Sequence, residues 1–483
     1  MNQAKNKNIT AREIDFAKWY TDVIKQAELC DYGAENGSVA GTIIFRPRGY
    51  AIWENIQQLL NQKFKLLNIE NVMLPLLISQ KAFQVERDHI EGFAPECVTA
   101  TKVGNNQLSE ELIIRPTSEV LFCRHFAKII SSYKQLPLLY NQWCNVMRWE
   151  KNTKPFLRTS EFLWQEGHTI HNNDKEAQAF TLKMIKLYAD FVEQYLAIKV
   201  IVGAKTIHER FAGAKITYTI ESMMQDGQAL QVGTSHYFGQ EFTKVFNIKF
   251  SNEDNKQELG YQTSWGVSTR LIGALIMAHS DDLGLVLPPT IAPHQIMILN
   301  LAPKSDKVKI LIEKVYKILS SHFRTLINDD NKSFSYKKSE SQIKGIPITI
   351  AIGEQELENQ TIKLILRHNL EVIDVKFNDE KLLVTTIIKQ LNVINKDLFN
   401  ISQIKLNTCL KEITTFSEYQ KLVKIHKGFF IVPFCGQITC EAEIKSLTGT
   451  TSRCIPLESF KTPTNCFKCQ TTNSVWTYFA RSY

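Results

Sequence analysis

No stretch of the 483 residues is long and apolar enough to read as a membrane span; the nearest, LIGALIMAH, is cut by glycine and histidine. The chain does not open on the apolar core of a secretory signal, and Thr10-Ala-Arg-Glu13 has instead the spacing of a helix capping box. It lacks internal repeats and low-complexity tracts. It also lacks a strong charge bias: 57 Lys and Arg against 49 Asp and Glu leave +8, which permits an anionic partner such as RNA without requiring one. Ten scattered cysteines without a secretory context favour reduced thiols or metal ligands over a disulfide frame, so the cytosol is the default compartment. What remains is an ordinary globular composition, 44% apolar and 22% charged, long enough for two or three domains.

Residues 140–171 are the most informative stretch. They divide into two strand-like arms, NQWCNVMRWE and LRTSEFLWQEGHT, joined by a short Lys/Asn/Thr/Pro connector. Alternation places Arg148 with Glu150 on one face, and Trp164, Glu166 and His168 together on the return arm. An arginine, two carboxylates, a histidine and an indole on one sheet surface suit the floor of a site for a charged ligand. A solvated amphipathic hairpin is the competing reading.

Before the hairpin, GTIIFRPRGYAIWENIQ reads as a short strand and a long helix hinged at Pro47 and Gly49. NVMLPLLIS reads as a strand, followed by a segment containing Phe93. LIIRPTSEVLFCRHFAKII places Thr117 and Glu119 at a helix N-terminus, where a carboxylate can also serve only the helix dipole. After the hairpin comes a scaffold helix, DKEAQAFTLKMIKLYADFVEQYL, and then strand-rich segments in which Thr234 and His236 share a face near Gln231. In SWGVSTRLIGALIMAH a strand end at Ser268 leads into an apolar helix bearing Arg270, which needs either a structural carboxylate or an anionic ligand such as phosphate. Prolines at residues 287–293 mark a linker, after which strands and helices alternate as in a small α/β domain; from about residue 400 the chain turns cysteine-bearing. Cys435-x4-Cys440 and Cys466-x2-Cys469 are two close thiol pairs suited to a structural tetrahedral zinc, with Cys454 as an alternative ligand.

Taken in order, these segments resemble prolyl-tRNA synthetase, in the shorter form found in archaea and eukaryotes. RPRGYAIWENIQ is similar to the first class II synthetase motif, Arg148-Trp149-Glu150 with FLRTSEFLWQEGH to the second, and SWGVSTRLIGALIMAH to the third. RPTSE, ERFAGA, GTSHYFGQ and FARSY resemble stretches more particular to the prolyl enzymes, whose final tyrosine, matched by Tyr483, reaches toward the catalytic domain.

The resemblance implies an α+β protein: a class II antiparallel-sheet catalytic domain over residues 1–288, an α/β anticodon-binding domain over 289–397 and a small zinc-containing α/β C-terminal domain over 398–483. It implies ATP-dependent attachment of L-proline to tRNA(Pro) through a prolyl-adenylate, in a cytoplasmic homodimer that binds no membrane. Arg148 and Arg270 would be catalytic; Arg148, Glu150, Arg158, Thr159, Gln231, Thr234, Ser268 and Arg270 would bind ATP with Mg2+. Phe93, Thr117, Glu119, Arg148, Trp164, Glu166, His168 and His236 would form the proline pocket, and Cys435, Cys440, Cys466 and Cys469 would hold Zn2+. The spacing between residues 148 and 264 leaves no room for the editing insertion of the bacterial form. Thr349, Glu354 and Glu356 stand where more basic character is expected for anticodon contacts. A class II synthetase for another amino acid, such as threonine, and a non-catalytic tRNA-binding paralogue are the rival readings.

Overall fold

The computed structural model describes residues 8–32, 39–89, 97–377, 379–458, 462–463 and 465–483. Its spine is an eleven-stranded sheet. Leu138–Met147, Glu161–His171, Tyr261–Ser268, Ala229–Gly239, Ile216–Met223 and Val200–Ala204 are consecutive antiparallel neighbours, and short Glu70–Asn71 edges the first.

Period-two side-chain alternation gives this sheet two unlike faces. In Glu161–His171, Gln165 and His171 face the helix Asp174–Tyr195, where Gln165 meets the Tyr188 hydroxyl and His171 lies 5.2 Å from the Phe180 ring. Ser235 does the same in its own strand, donating to Thr181 O at 2.8 Å. The helix buries Ala177, Met184, Ile185, Tyr188, Phe191 and Val192 at helical spacing, which makes that face the core. Trp164, Glu166, His168, Thr234 and His236 consequently point to the opposite, open face.

Several local expectations fail for identifiable reasons. Thr10 is not a cap: the helix Phe16–Gln26 is capped by Asp15, which accepts from Lys18 N, while the Thr10 hydroxyl donates to Asp22 at 2.6 Å. NVMLPLLIS breaks at Leu74-Pro75 into Glu70–Asn71 and Leu77–Ser79, where proline has no amide hydrogen to donate to a ladder. Pro47 opens the helix Pro47–Lys65 as expected, but Gly49 lies inside it, and a Cβ there would fall 2.1 Å from Leu29 O; close approach, not a hinge, requires the glycine. The central hairpin also has a longer connector than the arms suggest. Its strands stop at Met147 and restart at Glu161, so strand alternation does not govern Arg148 and Glu150. The chain is diverted there because Ser160 N donates to Gly41 O and Arg148 N to Ser160 O.

The α/β unit is a five-stranded sheet ordered Thr325–Asn328, Ile296–Asn300, Ile348–Ile352, Thr361–Leu366, Val372–Lys376, parallel in its first three strands and antiparallel beyond. The proline-rich joint before it is clamped: Arg324 donates to the carbonyls of Pro289, Thr290 and Ala292, and Asn55 to that of Ile291. The helix Glu380–Thr408 runs unbroken through residue 397 on one stripe, from Leu383 on the five-stranded core to Leu406 beside Met223 and Phe429. The final strands Leu410–Glu412, Phe429–Phe434, Val475–Ala480 and Thr451–Pro456 extend the central sheet itself, because Ile455 and Pro456 pair with Ala204 and Gly203.

Candidate active site

On the open face, six elements line a cleft with about 140 Å3 of internal space. The hairpin's return strand supplies Trp164, Glu166 and His168; Ala229–Gly239 supplies Gln231, Thr234 and His236; Ser268 ends its strand and Arg270 begins the helix Arg270–His279. Thr117 and Glu119 enter from the start of the helix Glu119–Ile129, and Arg148 from just past the outgoing hairpin strand.

One end is acidic and buried. Thr117 Oγ1 donates to Glu119 Oε2, and Ser118 Oγ to Glu166 Oε1. Gln142 Nε2 donates to the same Glu166 oxygen at 2.8 Å, while His168 Nε2 lies 3.2 Å from the other. Burial pushes Glu119 above the usual carboxylate range, with the Glu166 charge adding to it and His168 and Thr117 opposing. Burial pushes Glu166 the same way, but hydrogen bonds from His168, Ser118 and Gln142 outweigh it and hold Glu166 below that range. His236 sits 4.7 Å from the Phe211 ring with Nδ1 3.0 Å from Thr217 Oγ1, and burial, then the neighbouring His168, pull its pKa down to about 3. It is therefore a neutral wall.

The other end is cationic. Arg148 lies over Phe162 and Trp164, 5.5 and 5.3 Å from their ring centroids, and its Nε donates to Pro116 O at 2.9 Å. Arg270 donates from Nε to Leu157 O at 3.2 Å and from Nη1 to Gln231 O at 3.3 Å, and its amide donates to Ser268 Oγ at 3.2 Å. Burial, then repulsion from Arg158 and Arg148, draws the Arg270 pKa down to about 10. Among the described residues no carboxylate lies within 4 Å of Arg148 or Arg270, so of the two readings of Arg270 the structural ion pair falls away.

Three expected nucleotide contacts stand differently. Arg158 and Glu150 do not line the cavity; they lie 3.9 Å from one another with 49% and 35% of their side chains exposed. Thr159 is buried and donates its hydroxyl to Glu161 O at 2.6 Å, so a ligand would have to displace that bond. Phe93 lies outside the described residues. Several lining or supporting groups escaped sequence reasoning. Phe162 needed only the alternation already applied to Trp164. Phe211 lay unremarked in ERFAGA. Ser118 and Gln142 acquire meaning only once Glu166 is seen between them. Glu221, fully buried, accepts from Lys205 Nζ at 2.9 Å and from Arg453 Nε and Nη2 at 3.0 and 2.8 Å, tying the last sheet strands to the central ones; no local signal announces it.

The four cysteines converge, with all sulfurs within 4.8 Å of one another, and Cys435 and Cys469 are 3.7 Å apart. Zn–S bonds of about 2.3 Å in a tetrahedron require S–S edges of about 3.8 Å, so the donor set fits zinc. Cys454 is not a member: it is buried in the strand Thr451–Pro456 against Gly203.

An antiparallel sheet whose open face binds between an acidic helix start and convergent arginines is the architecture of a class II aminoacyl-tRNA synthetase. Residues 101–279 match the tRNA synthetase class II core domain (G, H, P, S and T), 295–384 the anticodon binding domain and 416–483 the prolyl-tRNA synthetase C-terminal domain. The chain is 50% identical to the proline--tRNA ligase of Mycoplasma mycoides subsp. mycoides over 98% of each chain, and 45% identical to a proline--tRNA ligase 2 of Bacillus thuringiensis over 98% of each. It superposes on a Cryptosporidium parvum prolyl-tRNA synthetase complexed with L-proline and AMP with a TM-score of 0.91 at 34% identity, covering 98% of this chain and 99% of that one. The chain belongs to the prolyl-tRNA synthetase family.

Proposed function

We propose that this chain joins L-proline to tRNA(Pro) in two steps, first activating proline with ATP and then transferring it from the adenylate to the terminal adenosine of the tRNA. The observation that carries the reading is the two-ended cavity: Arg148 and Arg270, without a carboxylate partner among the described residues, at one end, and carboxylates with a neutral imidazole at the other. Proline's secondary ammonium sits with Glu119 and Thr117, its ring among Trp164 and His236, with Glu166 and His168 fixing the acidic wall. A bound ammonium lowers the raised Glu119 pKa by favouring the charged carboxylate.

Arg148 then spans the proline carboxylate and the α-phosphate. The carboxylate oxygen attacks phosphorus in line, the bond to the bridging oxygen breaks, and pyrophosphate leaves with its charge held by Arg158 and Arg270. ATP enters as its Mg2+ complex. Gln231, Thr234, Ser268, Thr159 and Glu150 frame the nucleoside. No side chain becomes covalently attached. Cys435, Cys440, Cys466 and Cys469 would hold a structural Zn2+, which would supply folding energy and take no part in the reaction.

The functional divisions are residues 1–288, 289–397 and 398–483, the last boundary falling within one continuous helix. The shorter type without an editing insertion is supported by the stretch between residues 171 and 261. It holds only the helix Asp174–Tyr195, three strands of the central sheet and short local elements. Mischarged alanine, small enough to enter the pocket, is therefore cleared in trans or tolerated. Anticodon recognition does not use Thr349 or Glu356, since Thr349 donates to Ser341 Oγ and Glu356 accepts from Gly353 N and pairs with Lys363.

No helix of the described residues is long and apolar enough to cross a membrane, and action in the cytoplasm follows from the tRNA substrate. A homodimer through the first motif is supported by exposed Ile44 and Tyr50 beside Arg48, whose Nε and Nη1 are buried without a hydrogen-bond partner among the described residues. Amino-acid-dependent ATP–pyrophosphate exchange tests the central reading: proline should stimulate it, and stimulation by threonine without proline would overturn it.

A further inference from the structure

The connector between the hairpin strands carries more than its exposed arginine. Residues 154 and 158 exchange backbone hydrogen bonds, Lys154 N to Arg158 O at 2.6 Å and Arg158 N to Lys154 O at 2.9 Å, closing a tight turn. Within it Phe156 has φ of +61°, a left-handed conformation that costs a non-glycine residue roughly 1 kcal/mol or more and persists only where surroundings enforce it. The Phe156 ring is buried, 5.5 Å edge-on from Phe45, and Pro155 O accepts from the Tyr20 hydroxyl at 2.7 Å. Leu157 O is the acceptor for Arg270 Nε. One turn thus sets the backbone of Arg158 and bonds the side chain of Arg270.

The side chain that fastens this turn is Lys154. Its ammonium lies 4.9 Å from the Tyr20 ring centroid and 4.8 Å from that of Tyr483, held between two aromatic rings, with no carboxylate within 4 Å among the described residues. Tyr483 is itself fixed: its hydroxyl donates to Asp226 Oδ2 at 2.6 Å and its amide donates to Ala229 O at 3.2 Å. Replacing water by two ring faces keeps a cation in place only while both rings are present.

We propose that Lys154 is a positioning residue for the outer phosphates of the nucleotide: clasped by Tyr20 and Tyr483, it holds the turn that aims Arg158 and Arg270. The inference rests on the ATP-binding reading of those two arginines. It makes the last residues of the chain part of the nucleotide site without their touching the nucleotide.

The test is steady-state ATP–pyrophosphate exchange with the full chain, comparing Lys154→Met, Lys154→Arg, Tyr483→Leu, the Lys154→Met/Tyr483→Leu double variant and Arg158→Ala, with thermal unfolding of each. Lys154→Met and Tyr483→Leu should each raise the KM for ATP about tenfold with the KM for proline nearly unchanged, the double variant should be little worse than either, and Lys154→Arg should recover most of the loss. An unchanged KM for ATP in Lys154→Met, or an equal rise for both substrates, while Arg158→Ala still weakens ATP, overturns the clasp alone. Unchanged ATP binding in Arg158→Ala as well overturns the nucleotide reading beneath it. If Lys154→Met does not fold, Tyr483→Leu decides by the same two KM values.

Discussion

Arg148 lies over two adjoining aromatic rings, feels the charge of buried Glu119 and Glu166 from beyond 4 Å, and its one side-chain hydrogen bond among the described residues spends a single Nε on a carbonyl. The rest of the guanidinium is left for ligand. Arg148→Ala should therefore lower kcat/KM for proline-dependent exchange by at least about a hundredfold while thermal unfolding shifts little, which paired kinetic and melting measurements would establish. Histidines give a second prediction at this scale. Burial draws His279 from 6.5 to about 4, its Nε2 lying 2.8 Å from Leu196 O. The unfolded chain takes up a proton there that the native state refuses, so stability should fall as pH drops from about 6.5 toward 4, and His279→Gln should flatten that slope in urea midpoints measured across the range. Side-chain identity was legible where strand alternation applied, as for Trp164, Glu166 and His168. It failed beyond Met147, because Arg148 and Glu150 lie on an irregular connector whose path depends on distant Gly41.

Among the elements, the return strand Glu161–His171 tolerates the least change. Gly167 stands between Glu166 and His168 on the helix-covered face, where a Cβ would fall 2.1 Å from Trp265 Cζ2. Gly167→Ala should cost about 2–4 kcal/mol, read as a lower denaturation midpoint, and should weaken proline binding because both acidic-end neighbours move with the strand. Regular elements with strong periodicity, such as Asp174–Tyr195 and Arg270–His279, were readable from sequence. Ends set by competition were not: Thr10 has the right spacing for a cap but finds Asp22, while Asp15 takes the helix. Thr325–Asn328 and Val372–Lys376 are short strands at the two edges of their sheet, too brief to show a period.

For the molecule as a whole, the joint between the catalytic strands and the final segment is polar and buried. Arg453→Met would leave Glu221 with Lys205 as its only cationic partner among the described residues, and should cost about 3 kcal/mol in unfolding experiments, more than a surface pair would. Cys466→Ser should lower bound zinc from about one per chain toward none by atomic absorption and reduce the melting temperature, with proline-dependent exchange less affected than stability. That joint was invisible to sequence reading, which treated residues 398–483 as an appended module, because its determinants are scattered over Lys205, Glu221 and Arg453. The pairing of Ile455 and Pro456 with Ala204 and Gly203 also governs how the gene can be cut. A recombinant fragment that stops short of residue 455 strips Val200–Ala204 of its neighbour and offers solvent a raw row of amides and carbonyls, inviting other copies to stack there. Such a truncation should come out of cells as aggregate, whereas co-expressing the missing piece should return it to solution.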